Sequence, residues 1–338
     1  MPIQYINNLR AFACILVILT HSAMPALSPD FGFYMVFFSL LGSPSSELFV
    51  TVSSSLLVPT KLEIFEFYKK RFSKLIFPVL FWSLFIICLQ YAEGKISEGK
   101  AIEKLLLIPV VPVVGVYWFV YTICGLYLII PIISPWIASA KRKEILLLIG
   151  VWSITLLMPY VNILVNKPIY NIRGDYYFII NYLGGFIGYM LMGVYLRKFS
   201  LFFKTKFKAA AVIASCLIIG TIPILYAYGF NKNALEALSD NLSLTSAFYV
   251  IAIFCFFQNF KMPSIIEKFF NIIAKYSFGI YLIHIIIVRD VVWRVLAEHR
   301  LSHPLIETPL ICLVSLAFCL LIVKLISFLP KSKYVIGV

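Results

Sequence analysis

Residues 9–27 read LRAFACILVILTHSAMPAL, an apolar run with one arginine near its start and one histidine in its second half. A stretch of about 17–25 mainly apolar residues can cross a bilayer as an α-helix. The ionisable side chains inside the run, and the absence of a basic segment before it, distinguish it from a cleaved signal peptide. We therefore predict a first transmembrane helix that carries an arginine and a histidine.

Similar apolar blocks recur along the whole chain. Of its 338 residues 62% are hydrophobic and 13% are charged, whereas soluble domains are about 45–50% apolar and about 25% charged. This composition excludes a soluble enzyme, a disordered protein, a coiled coil and a disulfide scaffold, and the unbroken apolar blocks exclude a β-barrel. We predict one all-α, polytopic transmembrane domain over 1–338, with about ten helices at roughly 9–27, 38–59, 72–92, 116–137, 145–165, 177–196, 209–229, 242–260, 273–292 and 308–329.

The placement of charge predicts the orientation. With ten spans both termini lie on one side, and that side receives 20 of the 29 lysines and arginines. Because short cytoplasmic loops are enriched in these residues, both termini are expected to be cytoplasmic. The net charge of +14 is then a topology signal with attraction to anionic membrane lipids, and no nucleic-acid partner is needed to account for it.

Arg10 and His21 are the first candidate site residues. They are eleven positions apart, which places them within about 20° of one another on a helix and about 16 Å apart along its axis. Cys14 and Val17 share that face, and their small side chains would leave a slot between the two. Arg10 could hold phosphates at one end, and His21, with an ordinary pKa of about 6.5, could transfer protons at the other. The alternative is an arginine that anchors the helix and a histidine that bonds a neighbouring helix.

Three further places carry polar groups in or beside apolar runs. Glu47 lies near the outer end of the second predicted span, where its carboxylate could orient the His21 ring; alternatively it lies at the water boundary. Arg71 and Lys74 are one helical turn apart and could grip a phosphate, or they are part of a cytoplasmic anchor. His284 lies within the ninth predicted span, one turn after Tyr281, where a catalytic role and a bond between helices are both open.

Several chemistries lack their sequence signals. The P-loop, GxSxG and HExxH patterns are absent from the sequence, so a nucleotide-driven pump, a serine hydrolase of that type and a zinc protease of that type are not expected. The seven cysteines have no CxxC spacing. We interpret them as small apolar side chains and predict no metal site.

Five sequence elements then occur in order along nearly the whole chain. They are Arg10-x10-His21, Leu48–Leu57, Lys70-Arg71-x-x-Lys74 with Pro78, Tyr117-Trp118-Phe119 followed by Gly125-Leu126-Tyr127 and Pro131, and Tyr276–His284. Together they resemble the acyltransferase 3 family, ten-helix membrane enzymes that move acyl groups, often acetyl, from coenzyme A thioesters to carbohydrate or lipid-linked glycan. Asn7 replaces a common aspartate, Ser54 and Ser55 replace a Gly-aromatic pair, and Lys74 replaces an arginine.

The resemblance implies an O-acyltransferase of the bacterial inner membrane, with O-acetyl transfer as the expected reaction. The donor would be acetyl-CoA or another acyl-CoA, and the acceptor a hydroxyl of a cell-surface polysaccharide or lipid-linked glycan. By the same resemblance His21 would be catalytic with Arg10, by direct transfer or through an acyl-histidine. Glu47, Tyr281 and His284 are further catalytic candidates because of their positions in or beside the apolar runs. Arg10, Arg71 and Lys74 would hold the coenzyme A phosphates.

Two other functions stay open at this point. In a glycan transporter or export component, His21 and His284 would relay protons and no acyl-CoA would bind. In a structural partner of a glycan synthase, the motifs would be vestigial.

Overall fold

The computed structural model describes residues 4–23, 32–165, 184–230, 234–296 and 303–337. Within these ranges the chain forms helices, turns and short connections, and no β-strand. The helices are α1 (Gln4–Ala23), α2 (Gly32–Gly42), α3 (Ser45–Leu57), α4 (Ile64–Ala92), α5 (Glu98–Leu107), α6 (Trp118–Ser139), α7 (Arg142–Thr155), α8 (Met158–Val165), α9 (Ile187–Lys198), α10 (Lys206–Phe230), α11 (Leu235–Leu238), α12 (Leu244–Asn259), α13 (Ser264–Leu296), α14 (Pro304–Ser327) and α15 (Lys333–Ile336). The predicted all-α class is confirmed.

Seven stretches of the described chain are long and apolar enough to cross a membrane. They are Gln4–Ala23, Ile64–Ala92, Gly115–Ser139, Arg142–Val165, Lys206–Phe230, Ser264–Leu296 and Pro304–Ser327, and Leu244–Asn259 is a shorter apolar helix. The chain is thus a multi-pass membrane protein. The predicted total of ten is not established, because the remaining spans coincide with short helices and residues 24–27 and 177–183 lie outside the described ranges.

The second predicted span, 38–59, is two helices. The break falls at Ser43 and Pro44, and α3 begins with the bond from the Leu48 amide to the Pro44 carbonyl, 3.0 Å. Proline has no amide hydrogen and clashes with a preceding helical turn, so it is tolerated at the start of a helix and not in its middle. The end of α2 lies tight against α1, where a Cβ on Gly42 would stand 2.2 Å from the Thr20 hydroxyl oxygen.

α1 is the centre of the bundle. It packs against α13, α14, α3, α2 and α12, and most of its length is buried. At its start the Asn7 amide donates to the Asn271 side-chain oxygen of α13, at 2.9 Å. Because α1 is surrounded in this way, groups on its surface face neighbouring helices, and the cavities between those helices run along it.

Candidate active site

Two cavities lie along α1. The first, which we name the cationic cavity, has a volume of about 340 Å³ and is lined by Arg10, Arg71, Lys74 and Lys275 among others. The second, the histidine cavity, has a volume of about 270 Å³ and is lined by His21. The arginine and histidine that the sequence singles out on one helix are therefore in two different chambers.

The cationic cavity is positively charged and suits an anionic ligand. Its four cations come from α1, α4 and α13, and its described lining includes no acidic side chain. Arg71 lies with its guanidinium carbon 5.7 Å from the centre of the Phe67 ring, and its buried Nε has no hydrogen-bond partner among the described residues. A buried donor without a partner is costly, so a ligand with acceptor oxygens would complete this site.

The histidine cavity is lined by small polar side chains. Besides His21 they are Thr20, Ser43, Ser45, Ser46, Ser239 and Asn241. The α2–α3 break contributes three of these serines, because residues around it face the end of α1. Hydroxyls and amides both donate and accept hydrogen bonds, so this lining suits a neutral ligand rich in hydroxyl groups better than an apolar one.

Three aromatic residues belong to both cavities: Phe49, Phe119 and Tyr281. The ring centres of Phe49 and Phe119 are 6.0 Å apart, and those of Phe119 and Tyr281 are 5.8 Å apart. The Tyr281 hydroxyl donates to the Val116 carbonyl, which holds its ring in place. These three rings, which we name the aromatic constriction, form a wall that the two cavities share.

His284 lies beside His21 in the bundle. The ring centres are 5.1 Å apart with the planes inclined by 44°. The His284 side chain is fully buried, and its Nδ1 is 2.5 Å from the carbonyl oxygen of Tyr281 one turn earlier. The contact exists because α13 packs along α1, so two histidines that are 263 positions apart in sequence share one environment.

The predicted contact between Glu47 and His21 is absent. Glu47 is fully buried, lines neither cavity, and accepts from the Ser46 hydroxyl at 3.2 Å. Buried His21 Nδ1 has no hydrogen-bond partner among the described residues. The reason is helical phase: Ser45 and Phe49 are one turn apart and face the cavities, and Glu47, two residues from each, lies on the opposite side of α3.

The structure thus brings together Arg10, Arg71 and Lys74 in one cavity, and His21, Tyr281 and His284 around the other. The predicted slot at Cys14 is filled, because its sulfur packs 4.0 Å from the Ser277 carbonyl oxygen. Sequence reasoning missed Lys275 as a site residue. In the sequence Lys275 directly precedes the Tyr276–His284 element, and nothing else distinguishes it from the other lysines and arginines that predict the orientation in the membrane.

The acyltransferase domain family, Acyl_transf_3, matches residues 3–324. The chain belongs to this family. It is therefore a membrane acyltransferase, and the predicted resemblance is confirmed. No curated protein and no solved structure matches the chain.

An acyltransferase needs a place for an acyl donor, a place for an acceptor, and a group that can move a proton where the two meet. Two adjoining cavities that share the aromatic constriction, with an imidazole on one side and cations on the other, have the parts that this reaction requires. The family match covers both cavities, since their lining residues run from Arg10 to Gly337 and all but Gly337 lie within the matched range.

Proposed function

We propose that this membrane acyltransferase is an O-acetyltransferase of the bacterial inner membrane. An acyl-CoA, acetyl-CoA in the first instance, binds with its phosphates in the cationic cavity. A hydroxyl of a cell-surface polysaccharide or lipid-linked glycan enters the histidine cavity. The observation that carries the proposal is that these two cavities adjoin and share the aromatic constriction.

Two properties support the cationic cavity as the donor site: its positive charge and its distance from His21. Arg10, Arg71, Lys74 and Lys275 supply four positive charges to one cavity, which suits the phosphates of coenzyme A. The rise along α1 from Arg10 to His21 is about 16 Å, comparable with a pantetheine arm of roughly 15–20 Å. With its phosphates on the cations, such a donor would bring its thioester through the constriction toward the imidazole.

The chemistry rests on His21. As a general base it takes the proton of the acceptor hydroxyl while the oxygen attacks the thioester carbonyl. The tetrahedral intermediate expels the coenzyme A thiolate, which recovers that proton from the imidazolium. In the variant with an acyl-histidine, the imidazole nitrogen attacks the thioester carbonyl and expels the coenzyme A thiolate. The acceptor hydroxyl then attacks the acyl-imidazole and releases the imidazole, and the hydroxyl proton goes to the thiolate. Both routes require an unprotonated His21 nitrogen that faces the cavity.

The acceptor side rests on the lining of the histidine cavity. Four serines, a threonine and an asparagine can exchange hydrogen bonds with sugar hydroxyls. The excess of lysine and arginine on the side of the termini favours a cytoplasmic cationic cavity, which is the compartment in which acyl-CoA is made. The acceptor would then be reached from the opposite face of the membrane.

The test is acetylation of the host's surface glycan, measured by mass spectrometry in a deletion strain. Wild-type protein should restore the acetyl mass, and an equally abundant His21→Ala protein should not, since a general base contributes about 10²–10⁴-fold. His303→Asn is the matched control: His303 lines neither cavity, and asparagine can replace its cap of the Leu305 amide. It should restore acetylation fully.

Unchanged acetylation in the deletion strain would overturn the proposal. If glycan also accumulated inside those cells, a transport function with His21 and His284 as relay groups would take its place. Acetylation restored equally by wild type and His21→Ala would leave the enzyme reaction in place and exclude His21 from it.

A further inference from the structure

His21 and His284 each present a buried nitrogen with no partner. In His21 it is Nδ1 and in His284 it is Nε2, and no described residue hydrogen-bonds to either atom. Leaving two buried polar atoms unpaired is unfavourable. The two rings nevertheless lie next to each other, 5.1 Å between centres.

The tautomer of His284 follows from its other contact. Its Nδ1 is 2.5 Å from the Tyr281 carbonyl oxygen, and a carbonyl oxygen can only accept a hydrogen bond. Nδ1 must therefore carry the hydrogen and donate it. A neutral imidazole has one hydrogen, so Nε2 of His284 is left with a lone pair and can only accept.

The spacing of the two rings suits one shared hydrogen bond. Two imidazoles joined by an N–H···N bond have ring centres about 5 Å apart, since the donor–acceptor distance is about 3 Å. The structure itself does not contain this bond, since both atoms lack a partner among the described residues, and its formation requires the His21 ring to turn Nδ1 toward the His284 lone pair. Hydrogen bonds of active sites are often misaligned before substrate binds and tighten afterwards.

The second His21 nitrogen has a different environment. Nε2 makes no hydrogen bond within the described residues, but unlike Nδ1 it is not buried. The His21 side chain lines the histidine cavity. Nε2 is therefore the nitrogen that a ligand in the cavity can reach. If Nδ1 holds the hydrogen, the lone pair that can act as a base is on this side.

We propose that His284 is a positioning residue that fixes the tautomer of His21. The bonds run in one direction: His21 Nδ1–H donates to His284 Nε2, and His284 Nδ1–H donates to the Tyr281 carbonyl. His21 Nε2 is thereby kept unprotonated toward the acceptor hydroxyl. This role deepens the proposed function and rests on it, because it matters only if His21 takes a proton from the acceptor. It also assigns to a neutral imidazole the part that a carboxylate plays in many other sites.

Two substitutions at one position separate this role from a structural one. Asparagine can place an amide where Nδ1 was and keep the bond to the Tyr281 carbonyl, but it leaves nothing at the Nε2 position. Glutamine is longer and can place an oxygen at the Nε2 position. His284→Asn should thus lose the acceptor for His21 and His284→Gln should retain it. If His284 only tied α13 to its own backbone, the order of the two variants would be reversed.

The first readout is release of coenzyme A thiol from acetyl-CoA by the purified full chain in lipid nanodiscs, with water as acyl acceptor. We expect kcat to fall on the order of 10-fold or more in His284→Asn, the effect of a wrong tautomer, with KM for acetyl-CoA unchanged. His284→Gln should keep most of the wild-type kcat. Thermal unfolding of each variant shows whether the protein is intact. Equal kcat in wild type and His284→Asn would overturn the proposal.

The second readout needs no reaction with acetyl-CoA. Diethyl pyrocarbonate acylates an unprotonated imidazole nitrogen, and peptide mass spectrometry gives the rate at His21. We expect this rate to fall in His284→Asn and to be preserved in His284→Gln; an unchanged rate in His284→Asn would contradict the proposal. Thiol release that is the same in wild type and His21→Ala would instead exclude His21 from the proposed reaction, and the modification rates would still decide whether His284 positions the His21 ring.

Discussion

Arg71 is the residue whose surroundings say most about the ligand of the cationic cavity. It is half-buried on α4 with an unpartnered Nε and a Phe67 ring beside it. A bond from a charged donor contributes about 1.5–3 kcal/mol. Arg71→Ala should therefore raise KM for acetyl-CoA by about 10- to 100-fold, with a smaller effect on kcat, as measured by steady-state thiol release.

Lys70→Ala is the matched control, because Lys70 is exposed and lines neither cavity. Its KM should change by less than about twofold; equal effects of the two substitutions would show that only net charge matters.

If Lys74 binds a phosphate as proposed, it does so more weakly than an arginine at the same place would. An ammonium acts as a point charge, whereas a guanidinium binds two phosphate oxygens at once. Since Lys74 lines the cationic cavity, Lys74→Arg should lower KM for acetyl-CoA by about 3- to 10-fold, because a bidentate guanidinium adds a second charge-assisted hydrogen bond to the phosphate. Lys74→Met should raise it. A higher KM in Lys74→Arg would mean that the cavity is shaped to the shorter ammonium and that no phosphate lies within reach.

At the scale of elements, the contact between α3 and α9 holds the lining helix α3 in place. The two helices approach so closely at Gly193 that an added Cβ would stand 2.2 Å from the Thr51 carbonyl oxygen. Backbone cannot rotate away as a side chain can, so Gly193→Ala should push the helices apart and cost about 1–3 kcal/mol of stability. Gly150→Ala in α7 is the control, because nothing lies within 4 Å of its added Cβ. Thermal unfolding in detergent should show a lower midpoint for Gly193→Ala alone, and equal midpoints would mean that the contact is loose.

The sequence could predict features that are local to one helix, but not those that depend on how helices are joined and packed. Apolar length and helical spacing are local properties, so α1 and the placement of Arg10 and His21 on it follow from residues 9–27. The interruption at Pro44 was visible in sequence, but its effect was not, because a proline can either end a helix or start the next one. That choice sets the phase of α3 and turns Glu47 away from His21. The contact between His21 and His284 depends on how α1 and α13 pack, and no periodicity within one helix contains that information.

At the scale of the whole molecule, the two cavities predict access from opposite faces of the membrane. Lys275 lines the cationic cavity and Ser45 the histidine cavity. A maleimide that cannot cross membranes should label Lys275→Cys only in inside-out vesicles and Ser45→Cys only in right-side-out vesicles, because the side with more lysine and arginine is expected to be cytoplasmic. Wild-type protein sets the background, in which Cys88 is exposed, Cys124 is partly buried and the other five cysteines are buried. The opposite pattern would reverse the orientation and keep the two-sided path. Labelling of both variants from one side would refute the path itself, since donor and acceptor would then share one entrance.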